Sequence, residues 1–61
     1  MGNPIDPRPG RRLQQIREHR NMSQGQLARA IGVSVGTIQN HEHGRVHITV
    51  DRLEELARAL Q

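Results

Sequence analysis

Residues 34–45, SVGTIQNHEHGR, concentrate the side chains best able to make directed polar contacts: Ser34, Thr37, Gln39, Asn40, His43 and Arg45. Asn40 can offer both a donor and an acceptor to an adenine edge, and Val35 can touch a thymine methyl. Gly36 reads nothing itself; it either lets a helix come close to its partner or simply weakens that helix by about 1 kcal/mol relative to Ala. Wound as a helix at ~100° per residue and centred on Ile38, the segment turns Ser34, His41 and Glu42 toward the protein. Gly36, Asn40 and His43 then point away, with Thr37 and Gln39 on the flanks. That outward set is small, polar and free of carboxylates, which suits a surface laid against base edges and phosphates. An ordinary solvent-exposed helix would more often carry Glu or Lys there.

Other chemistries find less support. The chain has no cysteine, and its four hydroxyl side chains are Ser23, Ser34, Thr37 and Thr49. Three of these sit where helix caps are needed, and no paired carboxylates face a pocket, so no enzyme is expected. His41, His43 and His47 fall within seven residues. Residues 41 and 43 leave different faces of a helix and His47 lies in a loop, so neither a metal nor a cofactor is expected.

All nine basic residues are arginine. Between positions 8 and 45, Arg8, Arg11, Arg12, Arg17, Arg20, Arg29 and Arg45 face only Glu18 and Glu42, whereas residues 46–61 are slightly acidic. Guanidinium forks match phosphate oxygens, so the first two thirds of the chain favour a polyanion. The complete absence of Phe, Tyr and Trp argues against single-stranded nucleic acid and RNA loops, whose bases stack on aromatic rings. Double-stranded DNA is the polyanion that remains. No apolar run approaches the ~20 residues of a membrane span, and MGNPIDPRPG lacks the apolar core of a signal peptide. A reduced, cytoplasmic and nucleoid-associated protein is the expectation.

The elements that must position these side chains follow from apolar spacing and caps. Three prolines in residues 1–9 predict a flexible N-terminal arm, with one domain over residues 10–61. Leu13 and Ile16 predict a first helix over about 10–20, stopped near Asn21. Ser23 and Gln26 form a capping-box pattern that opens a second helix over 23–31, with Leu27, Ala28 and Ile31 inward and Gly32 at its end. Ser34 opens the third over 34–42, and Gly44 closes it. Thr49 caps a fourth over 49–60, whose stripe is Val50, Leu53, Leu56, Ala57 and Leu60; Asp51 suits its positive N-terminal end. The fold class is all-α: a compact bundle of four short helices. Helices two and three, joined by about three residues, make a central helix-turn-helix with helix three as the recognition helix.

Residues 11–60 resemble the Xre family of phage Cro- and C1-type repressors. The matching residues are Arg17, Ser23 and Gln24, Leu27 and Ala28, IGVS at 31–34, Ile38, and EHG at 42–44. The resemblance implies a repressor-like bundle and sequence-specific binding of double-stranded DNA by a bacterial or phage transcriptional regulator. It matches Gln24 to a phosphate contact, Val35, Gly36 and Asn40 to base-edge positions, and Thr37 to a backbone position. Arg17 and Glu42 match a structural charge pair between helices one and three. Together with the charge pattern, the expected base contacts are Val35, Gly36, Gln39, Asn40 and His43. The expected backbone contacts are Arg11 or Arg12, Gln24, Ser34, Thr37 and Arg45.

Three features depart from the family. His41 stands where an apolar or aromatic residue is usual, and Ile48 where proline is common. Many relatives continue beyond the position of Gln61 into a fifth helix that helps form the dimer. A homodimer is therefore implied for a full-length protein, with a monomer compatible with these 61 residues. A second function class remains open: a protein-interaction module, such as an antitoxin or adaptor domain, using helix 49–60. Exposure of Val50, Leu53, Leu56 and Leu60 discriminates the two, because a stripe left in solvent marks a partner surface.

Overall fold

The first helix, α1 (Arg8–His19), begins two residues before the apolar pattern predicts. Pro9 lies in its first turn, where a missing N–H costs nothing because no carbonyl precedes it to accept. Arg8 and Pro9 thus belong to the helix rather than to an arm. The rest of the expected arm, residues 1–7, lies outside the residues described by the computed structural model, which are 8–61. Asn21 ends α1 by taking a left-handed conformation, φ 57°, and Met22 N–H returns to the Arg17 carbonyl at 3.1 Å.

The second helix, α2 (Gln24–Ile31), opens on the expected capping box. Ser23 Oγ accepts from Gln26 N–H at 3.0 Å, and Gln26 Oε1 accepts from Ser23 N–H at 2.8 Å. Gly32 closes it at φ 73°, a conformation that costs an L side chain roughly 1–2 kcal/mol. Val33 N–H then reaches the Ala28 carbonyl at 2.9 Å. With Ser34 as the next N-cap, the turn is the three residues expected, and α3 (Val35–Glu42) follows. The last helix, α4 (Val50–Ala59), is capped by Thr49, whose Oγ1 accepts from Arg52 N–H at 3.1 Å. No strand occurs among the described residues.

Leu27 and Ile38 are wholly buried and form the centre of the core, with Leu13, Ala28, Leu56 and Leu60 around them. Ile48, in the loop before α4, packs against this cluster together with Ile16, Met22, Ile31 and Val33. The close helix pairs are α2 with α3, α1 with α3, and α2 with α4. Because α4 leans on α2, only part of its stripe is covered. Leu56 and Leu60 enter the core, while Val50 is 70% and Leu53 45% exposed. Ala57 faces solvent, and Ala59, on the α2 side, packs instead.

Candidate nucleic-acid interface

The face of α3 turned from the core carries Val35, Gln39 and Asn40, all exposed, with His43 exposed at the C-cap and Gly36 and Thr37 half-buried beside them. Ser34 is also exposed, not turned inward as the helical wheel suggests: as N-cap its backbone is extended and its side chain folds back over the first turn. Ser34 Oγ accepts from Thr37 N–H at 3.2 Å and lies 3.0 Å from Thr37 Oγ1, so both hydroxyls stand at the start of α3. A Cβ added at Gly36 would meet only Ser34 Oγ, at 3.7 Å. The space outside Gly36 is therefore open.

This face is held by a polar network inside the bundle. The Glu42 carboxylate, with no solvent exposure, accepts from Arg17 Nε at 2.6 Å and Arg17 Nη2 at 3.2 Å. The third guanidinium nitrogen, Nη1, donates to the Met22 carbonyl at 2.7 Å. Arg17 and Glu42 are thus the expected pair between α1 and α3, in the bidentate geometry that suits a buried charge. Gln24 completes the network: its Nε2 donates to Glu42 Oε1 at 3.0 Å, and its Oε1 accepts from Gln39 Nε2 at 3.4 Å. One chain of hydrogen bonds runs from α1 through α3 to the first residue of α2 and out to the exposed face.

The α3 carbonyls at the other end are closed locally. His43 N–H donates to Gln39 O at 2.9 Å, Gly44 N–H to His41 O at 3.2 Å, and Arg45 N–H to Asn40 O at 3.0 Å. This sets exposed Arg45 immediately beyond the helix. The arginines of α1 divide. Arg12 lines a groove shared with α4. Arg11, ~100° round the helix from Arg12, is exposed and lies outside that groove.

His41 is 7% exposed, and neither ring nitrogen has a hydrogen-bond partner among the described residues. Burial lowers its pKa below 6.5, and the positive charge of Arg52 on α4 lowers it further. Both causes favour the neutral imidazole. No cluster of three metal-ligating side chains occurs among the described residues.

Two features escape sequence reasoning. To the polar network Met22 contributes only its carbonyl, which any residue would supply, so its identity gives no sign of that contact. Gly10, the first residue of the helix that the apolar spacing predicts, carries a signal that periodicity does not register. A Cβ there would run into the backbone carbonyls of His41 and Glu42. Only glycine lets α1 lie directly on the C-terminal turn of α3.

An all-α bundle whose α2 and α3 meet through a three-residue turn, with α3 showing a polar face, is a helix-turn-helix domain. The model of the Helix-turn-helix family matches residues 13–61, and the chain belongs to this family, of the Xre and Cro/C1 type. It is 39% identical over 59 residues to an uncharacterized HTH-type transcriptional regulator, y4wC, of Sinorhizobium fredii (strain NBRC 101917 / NGR234), covering 97% of this chain and 41% of the relative. A second regulator of that organism, y4aM, is also 39% identical over the same shares. An uncharacterized transcriptional regulator in the ATPase CF(0) region of Rhodospirillum rubrum is 43% identical over 56 residues, 92% of this chain and 52% of the relative. The chain thus spans about half, or less, of the length of these relatives.

Proposed function

We propose that this chain is the DNA-binding domain of a bacterial or phage transcriptional regulator and binds double-stranded DNA sequence-specifically, with α3 in the major groove. The observation that carries this reading is the exposed, carboxylate-free face of α3, held rigid from behind by the Arg17–Glu42–Gln24 network. Val35, Gln39, Asn40 and His43 read base edges, and Gly36 lets the helix approach closely. Gln24, Ser34, Thr37, Arg45 and Arg11 or Arg12 hold the sugar-phosphate backbone; Gln24 has a second amide N–H beyond the one given to Glu42. The chemistry is binding rather than catalysis and needs no cofactor. The names of the relatives, HTH-type transcriptional regulators, support the regulator role. As a regulator the protein works in the cytoplasm on the nucleoid, as a homodimer on a two-fold operator with half-sites about one helical turn apart. No described helix is long and apolar enough to cross a membrane.

The test is an amide chemical-shift titration with a short duplex at low and then higher salt. Salt-sensitive shifts at residues 23–24, 34–40 and 43–45 are expected. Once a cognate site is known, Asn40→Ala should cost ~1–3 kcal/mol there and little on other sequences. A uniform loss on all sequences would remove Asn40 from the base-reading set. The second reading, a protein-interaction module, draws on the exposure of Val50 and Leu53. Shifts confined to residues 50–60, or none on α3, would favour it.

A further inference from the structure

The hydrogen bonds that join Glu42, Gln24 and Gln39 have a direction. Glu42 is wholly shielded from solvent and held by two nitrogens of Arg17, so its carboxylate has no proton to give and every neighbour must donate to it. Gln24 can meet it only with the NH2 end of its amide, and Nε2 lies 3.0 Å from Glu42 Oε1. The opposite orientation would set a carbonyl oxygen against a carboxylate oxygen. That choice leaves Gln24 Oε1 facing Gln39, where only a donor fits, and Gln39 Nε2 lies 3.4 Å away. One buried charge thus decides which way round two successive amides stand.

Gln24 is half-buried, whereas Gln39 is exposed on the outward face of α3. A glutamine without such a neighbour can turn over and offer a base either its N–H groups or its oxygen. Gln39 has one N–H engaged, so its free edge holds Oε1 and a single N–H. In the major groove adenine and cytosine present an exocyclic amine, for which Oε1 is the acceptor. Guanine presents two acceptors that call for two N–H groups, and thymine presents O4 beside a methyl. Against either of these, Oε1 is left facing an acceptor or an apolar carbon. Gln24 itself has one N–H left for a phosphate, so the same amide serves Glu42, Gln39 and the DNA backbone.

We propose that Glu42, acting through Gln24, fixes the amide orientation of Gln39 and thereby makes Gln39 select a base that carries an exocyclic amine, adenine or cytosine. This rests on the reading of α3 as the base-reading helix and adds the chemistry of one base and the residues that impose it. Gln24 and Glu42 are then positioning residues for base selection as well as parts of the tie between helices. The orientation is present in the free protein, so no ordering of the Gln39 amide has to be paid for when DNA binds.

Gln24→Met keeps the length of the side chain and removes both of its polar contacts. In the free protein it should move the side-chain amide resonances of Gln39 and leave those of Asn40 in place; unmoved Gln39 resonances would overturn the proposal before DNA is added. Selection from a randomised duplex pool at low salt then supplies a preferred site, and Gln39→Ala marks the position that Gln39 reads as the one whose discrimination collapses. There the wild-type chain should bind adenine or cytosine about tenfold more tightly than guanine or thymine, and Gln24→Met should cut that ratio to about twofold. Ratios at the other positions should persist in Gln24→Met, which general damage to the fold cannot produce. A preference for guanine or thymine, the same ratio in Gln24→Met, or a site unchanged by Gln39→Ala would overturn the proposal and leave sequence-specific binding intact. No discrimination at any position by the wild-type chain would overturn both.

Discussion

Replacing Glu42 by Ala removes the acceptor at the centre of the polar network while leaving its donors in place. Arg17, 8% exposed, would keep only the Met22 carbonyl and its outward neighbour Glu18, 3.9 Å away at the surface. Stranding a buried charge costs ~3–5 kcal/mol. A chain of 61 residues has roughly 3–9 kcal/mol of stability to lose at ~0.05–0.15 kcal/mol per residue. The variant should therefore be largely unfolded at room temperature, or melt more than about 12 °C lower. Removing both charges together, Arg17→Met with Glu42→Leu, should restore most of that stability, because the penalty lies in the uncompensated charge rather than in the lost attraction. Urea unfolding followed by circular dichroism at 222 nm gives both numbers. A loss below about 1 kcal/mol for Glu42→Ala, or a double variant no more stable than the single one, would refute this account of how α1 is tied to α3.

Three further outcomes follow from the same structure. His41 has its folded pKa below the unfolded 6.5, so the unfolded state takes up the proton more readily; the neutral imidazole's stability advantage is full above about pH 7 and declines as pH falls below 6.5 toward the folded value. Urea unfolding between about pH 8 and 5 should show that decline, and His41→Leu should flatten it; an unchanged slope in the variant would assign the effect to another group. Gly10→Ala should destabilise by ~1–3 kcal/mol despite alanine's better helix propensity, since its methyl meets the carbonyls of His41 and Glu42, and a more stable variant in thermal melts would contradict the close approach of α1 to α3. Gly36→Ala should go the other way and stabilise by up to ~1 kcal/mol, because the added methyl has room; if the free domain gains stability while its DNA affinity drops, the glycine serves close approach to the groove.

Ser23 with Gln26, Ser34 and Thr49 could be read as caps from the sequence because a cap is a contact within one turn, and residue type and spacing suffice to specify it. Gly32 and Asn21 were legible as stops for the same reason: a left-handed backbone favours those residues wherever it occurs. The apolar stripes of α1, α2 and α3 were legible because each faces the single small core, and the outward set on α3 is their geometric complement. The family likeness added the Arg17–Glu42 pair, since partners 25 positions apart leave no periodic trace in one sequence.

What the sequence determined by itself was therefore local and periodic: four helices, their caps, the three-residue turn, the absence of stacking side chains and the arginine bias of the first 45 residues. The tertiary structure decided everything that depends on which helices meet. It drew Gln24 into the Glu42 network, made Gly10 indispensable beneath α3, separated Arg11 from Arg12, and covered Leu56 and Leu60 while leaving Val50 and Leu53 in water. Helical periodicity defines a face but not the neighbour that face will find, and in a bundle this small α4 can lean fully on only one of the two helices beside it.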